Sequence, residues 1–128
     1  MDGGALRSRL VSTLALHALA VPATRTAGGI YSVRLQFPDQ YPEKPPRVRF
    51  LTEMFHPNVF PDGSLCLDII QDKWRPTYTV ASLLTAIQSL LCDPNTDSPA
   101  NPEAARLYNT DRKAYNRRVR TCAEKSIE

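Results

Sequence analysis

Cys66 is the residue whose surroundings in the sequence favour chemistry. It lies within residues 52–79, a stretch without clear periodicity that three prolines interrupt. An irregular segment of this length inside a small domain is usually functional, and a proline-stiffened loop can present a sulfur atom to a partner. Cys92 and Cys122 fall instead on predicted helices with apolar neighbours, where a thiol is typically structural.

The residues near Cys66 favour acyl exchange over peptide cleavage. A hydrolase of the Cys-His type needs an imidazole that takes the thiol proton. Two histidines are present, His17 near the N-terminus and His56 before a proline in a rigid turn. Asp62 and Asp68 add negative charge, which disfavours a thiolate formed in advance. We therefore expect exchange with an acyl group that was activated elsewhere. A Cys66–His56 hydrolase is an alternative.

Two strands and three helices are predicted to position this loop. Apolar and polar residues alternate from Ile30 to Phe37, and a second strand is predicted from Arg47 to Leu51. Four prolines in residues 38–46 exclude helix or central strand there. The predicted helices run from a Thr79 cap to Pro94, from Asn101-Pro102 to about Asn109, and from Asp111 towards Ser126, where Tyr115, Val119 and Cys122 are buried. Strands followed by helices predict the α+β class.

Residues 1–27 read differently from the rest of the chain. Two arginines precede an apolar stretch, Leu10 to Val21, and this pattern resembles that of a signal peptide. We predict an amphipathic helix instead, because apolar residues recur there every four positions. The predicted division is therefore a divergent N-terminal segment, 1–27, and a catalytic core, 28–128.

Composition predicts one soluble domain without metal or cofactor. The chain has 128 residues, 42% hydrophobic and 23% charged, with a net charge of +3. Its three cysteines form no close-spaced pair and no ligand pattern, which suits a reducing compartment. No apolar run reaches the length of a membrane span. We expect a cytoplasmic and nuclear protein.

Several motifs in order resemble the active-site core of ubiquitin-conjugating enzymes. They are His56-Pro57-Asn58, Asp62 to Ile69 around Cys66, Trp74 to Thr77, the proline-rich loop Tyr41 to Pro46, and Ser89 to Asn95. The cysteine follows Asn58 by eight residues, as the family motif requires. From about Gly28 onwards, the resemblance implies a UBC-like fold, an antiparallel sheet followed by C-terminal helices, without the usual first strands. Met54 to Val59 and Asp97 to Asn101 most resemble the branch that ubiquitinates histones and serves post-replication DNA repair.

The resemblance implies a role for each matching residue. Cys66 would accept ubiquitin as a thioester from the activating enzyme and pass it to substrate lysines. Asn58 would donate a hydrogen bond to the oxyanion, or hold the loop that shapes the site. Asp97 and Ser98 would lie where the incoming lysine loses its proton, and phosphorylation of Ser98 could add negative charge there. The loop-structuring residues would be His56, Pro57 and Asp68.

Partners follow from the same resemblance. They are ubiquitin, the activating enzyme that uses ATP, a RING ligase, and protein lysines, with histones as one candidate. The ligase would contact Glu43 together with Arg75, Pro76 and Thr77. Trp74 is interpreted as core more than contact. A basic run from Arg112 to Arg120 is interpreted as a solvated helix face, with a nucleosome or DNA contact as the alternative, so we expect no direct nucleic acid and no membrane.

The shortened N-terminus supports a competing function. A truncated, poorly active UBC-like binding or scaffold protein would keep the Cys66 loop and lose efficient charging. Without the first strands, Ile30 to Phe37 would form an exposed sheet edge. That edge predicts reduced stability or self-association.

Overall fold

The structure, a computed structural model, describes residues 11–17 and 30–127. The elements in chain order are β1 (Val11–His17), β2 (Ile30–Gln36), β3 (Arg47–Phe50), α1 (Val80–Cys92), α2 (Pro102–Thr110) and α3 (Arg112–Ser126). The predicted α+β class, with a sheet followed by helices, is confirmed. None of the described helices combines the length and the apolarity that crossing a bilayer requires.

The sheet is antiparallel with the order β1-β2-β3, so β2 is its central strand. β1 pairs with every residue of β2, from Val11 opposite Gln36 to His17 opposite Ile30. The helix predicted for this region is therefore wrong over residues 11–17, because strand pairing overrides a local four-residue periodicity. Its remaining positions, and the arginines of the signal-peptide alternative, lie outside the described residues.

The pairing of β1 also corrects the expectation of an exposed strand edge. Both edges of β2 are occupied, by β1 on one side and by β3 on the other. The exposed edge was the reason for expecting self-association. That reason no longer applies to β2.

One face of the sheet forms the core. Tyr31, Val33 and Leu35 of β2 are buried, and the polar residues between them are not. They form one cluster with two residues of β3 and with the apolar stripe of α1, which contributes Leu83, Ile87 and Leu91. The apolar residues that alternate along the strand thus pack against the apolar stripe of the helix.

The three helices begin where their capping residues predicted. Thr79 and Ser82 form a reciprocal capping box at the start of α1. The side chains of Asn101 and Asp111 accept hydrogen bonds from the first turns of α2 and α3. α3 buries Tyr115, Val119 and Cys122 as expected, and Phe55 joins this second cluster. Phe55 immediately precedes His56, so the cluster anchors the start of the candidate site.

Candidate active site

Cys66 emerges from the base of a short hairpin. Val59 and Leu65 pair as an isolated bridge, and the amide of Phe60 donates to the Ser64 carbonyl oxygen at 2.8 Å. The Cys66 amide closes the base by donating to the Asn58 carbonyl oxygen at 2.9 Å. The cysteine is partly exposed. The hairpin therefore fixes the backbone of Cys66 at a partly exposed position.

The tip of this hairpin requires glycine. Gly63 adopts a φ of +93°, and a Cβ atom there would clash with the carbonyl oxygen of Phe50. The Phe50 amide in turn donates to the Gly63 carbonyl oxygen at 2.8 Å. Asp62 accepts from the amide and the hydroxyl of Ser64 at 2.9 and 2.6 Å, and these bonds lower the pKa of Asp62. The Asp62 carboxylate thus stabilises the turn.

His56 is buried and neutral. Its Nε2 donates to the Leu90 carbonyl oxygen at 2.9 Å, which leaves Nδ1 to accept from the Asn58 amide at 3.0 Å. Burial lowers the pKa of His56 to about 4. Both ring nitrogens are occupied, so this imidazole has no lone pair left for the Cys66 thiol. The hydrolase alternative therefore lacks its base.

The neutral state of His56 predicts a loss of stability in mild acid. Because its folded pKa is depressed below the unfolded value, the stabilisation is present above about pH 6.5 and is lost as the pH falls towards about 4. The loss should reach about 3 kcal/mol in the free energy of unfolding. Denaturant titrations across this range should show it in the wild type. His56→Gln, which cannot titrate, should lack this part of the slope.

His17→Gln is the matched control, because His17 is the other histidine of the chain. Comparison of its pH dependence with that of His56→Gln assigns the slope to one of the two histidines. Equal pH dependence in the wild type and in His56→Gln would contradict the assignment.

Asn58 joins the Cys66 loop to the segment after α1. Its side chain is buried, with Nδ2 donating to the Asn95 carbonyl oxygen at 2.7 Å. The Asn95 amide returns a hydrogen bond to Asn58 Oδ1 at 2.8 Å. This reciprocal pair spans 37 residues of chain. Of the two roles expected for Asn58, oxyanion donor and holder of the loop, this pair supports the second.

Residues 95–101 are held at both ends against the same loop. The Pro57 carbonyl oxygen accepts from the amides of Ala100 and Asn101 at 2.8 and 3.0 Å, and Asn58 holds the other end through Asn95. Asp97 and Ser98 lie between these anchors and are exposed. The structure therefore brings the predicted gate residues onto a segment tied to the His56-Pro57-Asn58 motif.

Asp68 begins a short 3₁₀ turn after the cysteine. Its carbonyl oxygen accepts from the amides of Gln71 and Lys73, both at 3.0 Å. The Asp68 carboxylate also pairs with the ammonium group of Lys73 at 3.6 Å. Both side chains are exposed, so the ion pair adds little stability. The backbone bonds are what shape this turn.

Trp74 connects the two segments that were predicted to contact a ligase. Its indole nitrogen donates to the Pro42 carbonyl oxygen at 2.8 Å, and its ring lies 6.3 Å from that of Tyr41. Glu43 follows Pro42, and residues 75–77 follow Trp74; all of these are exposed. Trp74 itself is half-buried. This exposure lies between what a core residue and what a surface contact residue would show.

Sequence reasoning missed the partners of the buried His56 and Asn58 side chains. His56 donates to the carbonyl oxygen of Leu90, which lies in the last turn of α1. Asn58 donates to the carbonyl oxygen of Asn95, which lies just beyond that helix. One signal was available, since carbonyl groups in the last turn of a helix need donors from outside. In the part of the chain that the structure describes, no group of His, Cys, Asp and Glu side chains is arranged to hold a metal ion.

Comparison with known proteins identifies what the chain is similar to. The family model described as ubiquitin-conjugating enzyme matches residues 7–123. Ubiquitin-conjugating enzyme E2 2 of Fusarium solani is 60% identical over 100 residues, which are 78% of this chain and 66% of the relative. Ubiquitin-conjugating enzyme E2 3 of Arabidopsis thaliana is 58% identical over 99 residues, 77% of this chain and 66% of the relative. The chain thus spans just under two thirds of these relatives. The family match extends into residues 1–27, which the motifs alone left outside the resemblance.

Proposed function

This chain belongs to the ubiquitin-conjugating enzyme family, and from that premise we propose that it carries ubiquitin on Cys66 and transfers it to lysines. The observation that carries this proposal is the hairpin that holds Cys66 through the carbonyl oxygen of Asn58, while the ring nitrogens of His56 are both engaged by the backbone. A thiol without a local base suits exchange between thioesters, because its acyl donor arrives already activated.

Two acyl transfers make up the proposed reaction. The Cys66 thiolate attacks the thioester carbonyl between ubiquitin and the activating enzyme, and the thiolate of that enzyme leaves. A neutral lysine amine then attacks the new thioester, the Cys66 thiolate leaves as the amide forms, and the proton that the nitrogen loses passes to solvent. The side-chain amide nitrogen of Asn58 carries two hydrogens, and the Asn95 carbonyl oxygen accepts one of them. The second can donate to the oxyanion of either step.

Partners and location complete the same proposal. Glu43 and residues 75–77 form the surface for a RING ligase, supported by the bond between Trp74 and Pro42. Histones are a candidate substrate, in DNA repair, and the location is cytoplasmic and nuclear. ATP is used by the activating enzyme, so this chain needs no cofactor. The scaffold alternative rested on a replaced N-terminus, and both the family match from residue 7 and the pairing of β1 weaken it.

Charging by the activating enzyme tests the proposal. The protein is mixed with activating enzyme, ATP and ubiquitin, and the products are separated on a non-reducing gel. An adduct that disappears on addition of thiol supports the proposed enzyme. Absence of the adduct at a saturating concentration of charged activating enzyme would support the scaffold instead. Hydrolysis of peptides or esters without ATP would support the Cys-His hydrolase.

Negative charge at Ser98 should accelerate discharge to lysine. A lysine is mostly protonated at neutral pH, and a carboxylate at the gate can take up its proton. Ser98→Asp should therefore discharge ubiquitin to free lysine several-fold faster than Ser98→Ala. Single-turnover discharge, followed after charging is stopped, measures this rate.

Ser89→Asp is the control for Ser98→Asp, because it places the same charge on an exposed serine at the end of α1. Its discharge rate should equal that of the wild type. If Ser98→Asp is no faster than Ser98→Ala, the gate role of this position is wrong.

A further inference from the structure

α3 concentrates the positive charge of the protein. Between Arg112 and Ser126 it carries six arginine or lysine residues and one glutamate, which is a net charge of +5. The whole chain has a net charge of +3, so the residues outside α3 sum to −2. Such an asymmetry of charge favours an anionic partner for the basic part. Whether α3 can bind one depends on which of its cations are engaged within the fold.

Three of the six cations contact other side chains of the protein. Arg112 donates through Nε to the Tyr108 carbonyl oxygen at 2.8 Å, and its guanidinium carbon lies 3.5 Å from the centroid of the Tyr108 ring. Arg118 and Lys125 each form an ion pair with a glutamate, at 3.5 and 3.7 Å. These three residues therefore serve the packing of α3 against its neighbours.

The other three cations, Lys113, Arg117 and Arg120, form a stripe on the solvent side of the helix, called here the α3 stripe. Their spacing of four and three residues places them on one helix face, and all three are exposed. No ion pair found in the described part of the chain involves them. Glu124 lies one turn beyond Arg120, and it forms none of those ion pairs either. The stripe is thus a row of three positive charges that the described residues do not neutralise.

The α3 stripe lacks the apolar centre that is typical of an interface between proteins. Such interfaces bury a core of aromatic or apolar side chains. The exposed large apolar side chains of the described residues are Leu51, Phe60 and Ile127, and none of them lies within α3. A phosphate backbone, in contrast, is bound by cations alone. Lys113 and Arg120 are about 10 Å apart along the helix, a distance that covers about three phosphates of one strand of a duplex.

We propose that the α3 stripe binds the phosphate backbone of a nucleic acid duplex without reading its sequence. Arginine and lysine side chains supply contacts of this kind, and the release of counterions from the phosphates drives the binding. The proposal replaces the expectation that the whole basic run is a solvated helix face. It concerns α3 and does not depend on the chemistry of Cys66.

Binding of short duplexes to the full chain tests this surface. The probes are a fluorescein-labelled DNA duplex and an RNA duplex of the same sequence, followed by fluorescence anisotropy from low salt upwards; the duplex that binds more tightly identifies the ligand. The logarithm of the affinity should fall linearly with the logarithm of the salt concentration, with a slope of about −3 for three cations. Lys113→Gln/Arg117→Gln/Arg120→Gln should weaken binding about tenfold or more at low salt and bring the slope close to zero.

Arg34→Gln/Lys44→Gln/Arg47→Gln is the matched control, since it removes the same charge from exposed positions outside α3. It should keep the salt slope and an affinity within about twofold of the wild type. Thermal melts of the α3 variant should show no loss of stability, because glutamine has nearly the helix propensity of arginine and lysine. The substitutions also relieve repulsion between cations one turn apart.

Three results would overturn the proposal. The α3 variant could bind both duplexes as tightly as the wild type does, which would remove the role of the stripe. Both triple variants could weaken binding equally, which would reduce the effect to net charge. A polyglutamate peptide could bind more tightly through the α3 stripe than either duplex does, which would assign the surface to an acidic protein.

Discussion

Cys66→Ser is expected to turn the thiol-sensitive ubiquitin adduct into a thiol-resistant ester and to stop transfer to lysine. An alkoxide is a far poorer leaving group than a thiolate, so the ester forms slowly and reacts little further. Loss of transfer should be on the order of a thousandfold or more, as for other covalent nucleophiles. Charging gels with and without reducing agent, followed by discharge to lysine, measure both effects.

Cys92→Ser is the matched control for this substitution. Cys92 is more exposed than Cys66, and it is the last residue of α1. Its variant should charge and discharge as the wild type does. A thiol-sensitive adduct that persists in Cys66→Ala, or that is lost in Cys92→Ser, would move the acceptor to another cysteine.

Asn58→Ala is expected to affect both stability and catalysis. The substitution leaves the amide and the carbonyl of Asn95 without their partner, which should cost about 2–4 kcal/mol in the free energy of unfolding. It also removes the donor proposed for the oxyanion, so discharge to lysine should slow by about a hundred- to a thousandfold. Denaturant titration and single-turnover discharge measure the two effects separately.

Asn95→Ala separates the two roles of Asn58. Asn58 bonds to the backbone of Asn95, so this variant keeps that pair and loses the hydrogen bond that the Asp97 amide donates to Asn95 Oδ1. Its stability and discharge should stay much closer to wild type than those of Asn58→Ala. If Asn58→Ala lowers stability alone, Asn58 holds the loop and does not assist the chemistry. If it changes neither quantity, both roles are wrong.

Helix boundaries could be predicted closely because short-range chemistry sets them. Thr79, Asn101 and Asp111 each cap a helix through a neighbour three residues along. β1 could not be predicted in the same way, because its stability comes from pairing with a strand that lies beyond residues 18–29. An apolar repeat of four residues then favoured the wrong element.

The candidate site shows the same limit. The resemblance to the family motif placed Cys66 and Asn58 in one site, and the backbone bond between them is consistent with that placement. Nothing local indicates that Asn58 bonds to Asn95, or that His56 reaches the carbonyl of Leu90. Those contacts join distant parts of the chain, so they follow from tertiary packing. Burial keeps His56 neutral, and the bonds with the Leu90 carbonyl and the Asn58 amide occupy both of its ring nitrogens, so it cannot serve as a base.

Trp74 gives the protein a built-in optical probe. It is the one tryptophan of the sequence, and its indole nitrogen donates to the Pro42 carbonyl oxygen, beside the two segments proposed to contact a ligase. Indole emission depends on the polarity around the ring, so a ligase docking at Glu43 should change the colour and intensity of the protein's own fluorescence. Affinity for candidate ligases can therefore be read without a label.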